Sequence, residues 1–325
     1  MKNQYFGDKR DLFKFDLLLD LMTSGGFRQL TYVPMLTPPD STGEGRLTRN
    51  AATGHRHELF EFLAERRSSR TLDIRCWRQF FSTEHRFAYR AYLDDREDYT
   101  FEFRRTYFGG IEGEDMRRAC IFIDPDIGVE RAKIRSADRS KYLFIDDLEG
   151  LLKRSHDSLF IIYQHLQKNA NHRLGNIADH IRVLTARLDL KAVPFIREGD
   201  LAFYAVARDE NQLRTAATVF FAHSEKTGRL KSHVTDILNV AKCTLNPEVG
   251  VSDLALFGSV ARGEQKIDSD IDVMVRFAGP ATLRGFFDLE RHLELVLGRR
   301  IDLVTTKAIR AEMRPAIERE ALHAA

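Results

Sequence analysis

Two short apolar runs, joined by a Gly-Ser turn and a polar loop, constrain the C-terminal part of this chain more tightly than any other stretch. The segment LALFGSVARGEQKIDSDIDVMVRF runs from Leu254 to Phe277. Leu254 to Phe257 has the length and apolarity of a buried strand, and Gly258-Ser259 turns tightly off its end. DSDIDVMVRF reads as a second strand. Asp270 and Asp272 are two apart, so both carboxylates project from one face. Ile271, Val273 and Val275 face the other way, into a core. A third strand, Arg300 to Thr305, carries Asp302.

Two or three carboxylates held close together cannot all stay ionised without cations. Magnesium relieves the repulsion and brings a triphosphate with it. Two such ions can clamp the attacking and leaving oxygens of an in-line displacement. Gly258 lets the backbone approach a phosphate, and Ser259 supplies a hydroxyl and an amide N–H. Arg262 offers paired donors to phosphate oxygens. Arg262 and Glu264 read equally well as caps of a short helix after the turn, and Lys266 as a solvated charge. The pattern is that of phosphoryl transfer resting on positioning and electrostatics.

Gly258-Ser259, Ala261-Arg262-Gly263-Glu264 and Ser269-Asp270-Ile271-Asp272, with Asp302 one strand later, closely resemble the minimal nucleotidyltransferase family of the DNA polymerase beta superfamily. The resemblance runs from about Leu230 to the last residue and includes a final helix, Arg314 to Leu322. It implies a small α+β domain, a mixed sheet flanked by helices. It also implies transfer of a nucleoside monophosphate, AMP from ATP for preference, with magnesium, two ions being expected. Asp270 and Asp272 would hold the metals. Asp302 would be the third carboxylate, ligand or base. Gly258 and Ser259, with Arg262, would hold the triphosphate. Some members are antitoxins that modify a partner toxin with AMP, and related enzymes modify tRNA ends or proteins. The expected acceptor is therefore a protein or RNA hydroxyl, in a toxin–antitoxin or phage-defence setting.

The chain has 325 residues, which suggests two domains. Formal net charge is only +2, from 50 basic against 48 acidic residues, so a nucleic-acid partner would need a local patch. No apolar run approaches the roughly 18 residues of a membrane-spanning helix, and no membrane partner is expected. The opening MKNQYFGDKRDLFKF lacks a signal peptide's apolar core. Cys76, Cys120 and Cys243 show no CxxC spacing, so a reducing cytoplasm is the simple expectation.

Residues 1–222 alternate strand-like and helix-like stretches: a helix from Asp11 to Met22, strands at Leu30 to Leu36, Ala119 to Asp124, Ser158 to Tyr163 and Leu201 to Ala207, and helices at His57 to Arg66, Asp146 to Lys153 and Glu210 to Ala222. Phe87 to Tyr92 and Tyr99 to Phe108 have strand-like composition. The alternation predicts a Rossmann-like layered α/β domain with a largely parallel sheet. Residues 38–56 read as a long polar loop, and 223–229 as a linker to a second domain over 230–325.

IFIDPDIG and LFIIYQHLQK place Asp124, Asp126, Gln164 and His165 at the carboxyl ends of strands, where parallel sheets bind ligands, with Asp8 and Lys14 as further members of that rim. Three readings stay open. A strand ending in Asp-Pro resembles the catalytic motif of amino-methyltransferases, though no glycine-rich cofactor loop follows an early strand. A metal-dependent nuclease would use Asp124, Asp126 and His165. Otherwise Asp124-Pro125-Asp126 is only a turn and His165 a cap. Arginine interleaved with aromatics over Arg66 to Arg90 either stacks on single-stranded nucleic acid or is a strand pair with solvated arginines, the second being favoured. Two further classes accompany the transferase: an N-terminal nuclease or other effector regulated in cis, and a binding module with a dead transferase fold.

Overall fold

The computed structural model describes residues 2–39, 54–84, 87–92, 99–266, 269–280 and 282–324. Contacts divide the chain into two units, Met1–Leu166 with Glu198–Gln212, and Gln167–Arg197 with Leu213–Ala325.

The first unit opens with α1 (Lys9–Ser24), whose N-cap Asp8 accepts the backbone N–H groups of Arg10 and Asp11. Strand β1 (Gln29–Pro34) follows, then α2 (His57–Ser68), α3 (Trp77–Glu84), β2 (Ala88–Ala91), α4 (Arg104–Gly109) and β3 (Ala119–Asp124). A small pair, β4 (Gly128–Val129) and β5 (Tyr142–Leu143), precedes α5 (Ile145–Arg154) and β6 (Leu159–His165). Helix α6 (Arg173–Leu188) and all but the last residue of β7 (Phe195–Glu198) are assigned to the second unit, and β8 (Leu201–Val206) returns to the first. The sheet order is β2-β1-β3-β6-β8-β7. β2, β1, β3 and β6 run parallel, and β8 is antiparallel to β6. β3 is buried along its whole length, as its uninterrupted apolar run requires of a central parallel strand. Because β3 and β6 run together, their last residues, Asp124 and His165, reach the same edge.

Several stretches differ from the sequence reading. Tyr99 to Phe108 is a turn followed by α4, not a strand. Its aromatics signal burial, not period, and Tyr99 and Phe108 are both buried. The expected strand pair within Arg66 to Arg90 is instead the end of α2, then α3 and β2. Trp77, Phe80 and Phe81 are buried there, and Trp77 stacks on Phe15 with centroids 3.6 Å apart. Arg75, Arg78 and Arg90 are exposed. Of the long polar loop, residues 40–53 lie outside the described residues.

In the second unit α7 (Glu210–Lys226) runs through most of the expected linker, and α8 (Leu230–Val249) follows after a short turn. Then come β9 (Val251–Phe257), α9 (Gly258–Arg262), β10 (Ile271–Phe277), α10 (Leu283–Leu297), β11 (Ile301–Thr305), α11 (Arg314–Glu320) and β12 (Leu322–His323). The sheet is mixed, in the order β11-β10-β9-β12. β10 pairs in parallel with β11 and antiparallel with β9, and β12 is antiparallel to β9. Ala255, Met274 and Ile317 close one side of this sheet under α11. Arg197 clamps Asp236 of α8 with contacts of 2.7 and 3.0 Å. Among the described residues, no helix is long and apolar enough to cross a membrane.

His233 of α8 is 4% exposed, and neither ring nitrogen finds a partner among the described residues. Burial, with nearby His223, pushes it down to about 3. It is thus neutral when folded and titrates at its ordinary value when unfolded. Its contribution is complete above pH 6.5 and is lost as pH falls toward 3, at about 1.4 kcal/mol per pH unit. Urea midpoints at pH 7 and pH 5 should fall steeply in the native chain. They should fall distinctly less in His233→Leu, and equal slopes would contradict this assignment.

Candidate functional site

β9 ends at Phe257, and the chain turns at Gly258 with φ +70° into the single turn of α9. That conformation favours glycine. A second constraint is steric: a Cβ on Gly258 would overlap the Asp272 carboxylate. Phe257 and Asp272 are register partners across β9 and β10, which sets the turn against that carboxylate. Gly258→Ala should therefore cost about 1–2 kcal/mol for the left-handed backbone alone, plus displacement of Asp272. Urea unfolding and a transfer assay should show both losses. Native transfer in the alanine variant would refute the close approach.

Asp272 and Asp302 are register partners on the parallel strands β10 and β11, so their side chains leave the sheet side by side. Asp270 stands just before β10, exposed, with Arg300 Nε at 3.7 Å. Burial, then Asp302, then Asp270 push the Asp272 carboxyl above its ordinary value, against the Ser259 N–H and Arg262. The cluster thus has more negative charge than its surroundings balance. Its donors are all carboxylate oxygens. Such a set fits a hard divalent cation, which would restore Asp272 to full ionisation.

Ser259 is half-buried, and its N–H is spent on Asp272. Its hydroxyl has no hydrogen-bond partner among the described residues. Arg262 and Gly258 are already engaged. Glu320, the last residue of α11, accepts the Gly258 N–H at 2.9 Å and both contacts of Arg262 Nη1 at 2.9 and 3.1 Å. Glu264 takes Arg262 Nε at 2.7 Å. Sequence reasoning missed Glu320 because nothing in RPAIEREALH marks one carboxylate out. Only the folded position of α11 brings it to the turn.

The N-terminal candidates also meet. Asp124, Asp126 and His165 line one pocket with Asp8 and Lys14, whereas Gln164 turns to the Val129 N–H and the Ile127 carbonyl. Each of the three is paired. Asp124 accepts Lys14 Nζ at 3.0 and 3.1 Å and the Tyr32 hydroxyl at 3.0 Å. Asp126 meets Lys2 at 2.6 Å, and despite burial the charge of the N-terminal ammonium, then Lys2, holds its carboxyl down to about 2. His165 meets Asp200 at 3.1 Å, and Arg10 meets the same carboxylate at 2.6 Å.

Residues 238–324 match the family model described as a nucleotidyltransferase domain. A protein of Methanocaldococcus jannaschii, named as the candidate protein adenylyltransferase MJ1215, is 44% identical over 84 residues, which are 98% of its length and 25% of this chain. The chain belongs to the minimal nucleotidyltransferase family. Protein adenylyltransferase MntA of Thermococcus cleftensis is 37% identical over 90 residues, 91% of that protein and 28% of this one. A solved structure described as a candidate minimal nucleotidyltransferase is 37% identical, with a TM-score of 0.24, over 86% of that chain and 26% of this one. The protein is a nucleotidyltransferase enzyme. These likenesses concern the last part of the chain, and the minimal nucleotidyltransferase domain follows some two hundred residues that they do not touch.

Proposed function

We propose that residues 230–325 transfer AMP from ATP to a hydroxyl of a protein acceptor, with magnesium as the divalent ion. The observation that carries this reading is the register of Asp272 with Asp302, with Gly258 packed against the same carboxylate. Asp270, Asp272 and Asp302 would hold the metal, two ions being the expected number. When bound it would neutralise triphosphate charge and polarise the reacting phosphorus. The chain's own groups do the rest. The Gly258-Ser259 turn fixes Asp272 through the Ser259 N–H, and the Ser259 hydroxyl donates to a phosphate oxygen. Glu320 and Glu264 hold the Arg262 guanidinium at the end of α9, where it offsets charge on the leaving phosphates. Asp302, on the exposed side of the cluster, accepts the proton of the attacking hydroxyl.

The choice of AMP and of a protein follows the names of the two archaeal relatives. A partner toxin or defence protein would be such an acceptor. The test incubates the full chain with magnesium and each α-labelled nucleoside triphosphate, offering cell lysate and bulk tRNA as acceptors. Label from ATP on a protein band supports the reading. Label on RNA transfers the assignment to a tRNA acceptor. No label, with no magnesium-dependent nucleotide binding, rejects catalysis and leaves a binding module.

A further inference from the structure

One surface of the first unit combines unmatched positive charge with aromatic rings. Between β4 and β5, residues 130–141 hold Arg131, Lys133, Arg135, Arg139 and Lys141 against Glu130 and Asp138. Asp138 is spent on Arg135 and Lys141, and Glu130 accepts the Ile145 N–H at the start of α5. Arg131, Lys133 and Arg139 are exposed and have no carboxylate partner among the described residues. In a chain whose formal net charge is only +2, three such cations on one connection form a local patch of the kind that polyanions need.

The rings lie beneath these charges. Arg139 sits over Phe101, its guanidinium carbon 3.7 Å from the ring centroid, and Arg104 covers the same ring at 4.5 Å. Both also reach Phe144 at 5.5 Å, and the Phe101 and Phe144 centroids are 5.1 Å apart. Arg131 covers Tyr142 at 5.6 Å. The two guanidiniums on Phe101 therefore stand within the roughly 10 Å over which charges feel one another in dilute salt. Of the two, Arg104 has a carboxylate, Asp147 at 3.2 Å, and Arg139 has none among the described residues. Phe103, in the same turn as Phe101, is 47% exposed.

We propose that this surface binds single-stranded nucleic acid, its phosphates held by Arg131, Lys133 and Arg139 and its bases stacked on Phe103 and on the guanidinium of Arg139. A guanidinium lying over a ring keeps its N–H edge for a phosphate and its outer face for a base. A duplex hides the faces of its bases, and an acidic peptide has no such faces to offer. The inference concerns the first unit alone and is independent of nucleotidyl transfer.

The test is fluorescence anisotropy of labelled oligo(dT) and oligo(rU), each of about 20 nucleotides, with the full chain over a range of potassium chloride and without nucleoside triphosphate. A duplex of the same length and polyglutamate are the competitors. Saturable binding of either single strand is expected, tighter than both competitors by at least about fivefold, the contribution of one stacked base. Replacing Arg131→Gln, Lys133→Gln and Arg139→Gln together should weaken it at least about tenfold and lower the slope of log K against log salt by about 2, at roughly 0.7 per lost phosphate contact. Phe103→Ala should weaken it about fivefold at an unchanged slope. If either variant does not fold, Arg131→Gln with Lys133→Gln leaves the rings and Arg139 in place and should lower the slope by about 1.4. No saturable binding of a single strand overturns the proposal, as do competitors of equal affinity or a folded charge variant with the native slope.

Discussion

Asp272→Asn is expected to lower nucleotidyl transfer by on the order of 10³-fold, about 4 kcal/mol of transition-state stabilisation, and to leave the fold at least as stable as before. The two effects have one cause. Asparagine still accepts the Ser259 N–H through its carbonyl oxygen, so the Gly258-Ser259 turn keeps its anchor. What disappears is a negative charge already at a disadvantage beside Asp302 and Asp270. The sign follows from linkage. The folded carboxyl stands above its ordinary value of 3.8, so the folded chain binds more protons and its stability falls as pH rises through that range. Near neutrality the native residue is therefore a net cost, which asparagine removes. Magnesium should raise the thermal midpoint of the native chain, by mass action on the folded state, and have much less effect on the variant. A variant that unfolds at lower temperature than the native chain, or that transfers normally, would remove Asp272 from the centre of the site.

Lys14→Met should destabilise the first unit by about 3–5 kcal/mol, the usual cost of leaving a buried charge without its partner. Lys14 Nζ is buried against both oxygens of Asp124 and stands 4.2 Å above the Tyr163 ring. Methionine fits the space of the stem but answers neither Asp124 nor Asp11. Among the described residues, Asp124 then keeps only the Tyr32 hydroxyl. The same reasoning gives a pH signature. Burial already takes Asp11 up to about 7 against the pull of Lys14, so without the lysine it rises further, and acidification from pH 8 to pH 5 should recover part of the lost stability. A double variant, Lys14→Met with Asp124→Leu, should recover much of it at constant pH, since both charges go together. Urea unfolding followed by Trp77 fluorescence reports on this unit. A loss below about 1 kcal/mol, or no recovery in the double variant, would show the pair to be better hydrated than its burial implies.

Much of the second unit was legible because its constraints are local. The buried runs of β9 and β10, the glycine between them and the two-residue spacing of the aspartates all lie within Leu254–Phe277. Asp270 falls one residue outside β10, a difference well within the fraying of strand ends. In the first unit, Asp124, Asp126 and His165 line one pocket with Asp8 and Lys14 because strand direction sends the ends of β3 and β6 to the same edge, whereas Gln164, expected on that rim, turns to Val129 and Ile127. What each residue does there was not legible. The answers are pairings with Lys2, Asp200 and Tyr32, all distant in sequence. Two helices, α6 and α10, escaped notice, and the expected linker at 223–229 is largely helix. Apolar spacing reports which face of a segment is buried and not which unit buries it. The segment Gln167–Arg197 accordingly belongs with residues far beyond it.

Glu320 gives the transferase site an order of assembly. The Gly258 N–H and Arg262 are held by the last residue of α11, and β9, which leads into that turn, gains its second neighbour only from Leu322 and His323. A ribosome that has already released the three carboxylates has still not released the residue that holds the turn beside them. The Gly258–Arg262 turn therefore completes these contacts only after α11 and β12 have been made. Stalled nascent chains of increasing length should acquire nucleotide binding only once His323 has left the exit tunnel, and binding by chains that end before α11 would show the corner to be self-sufficient.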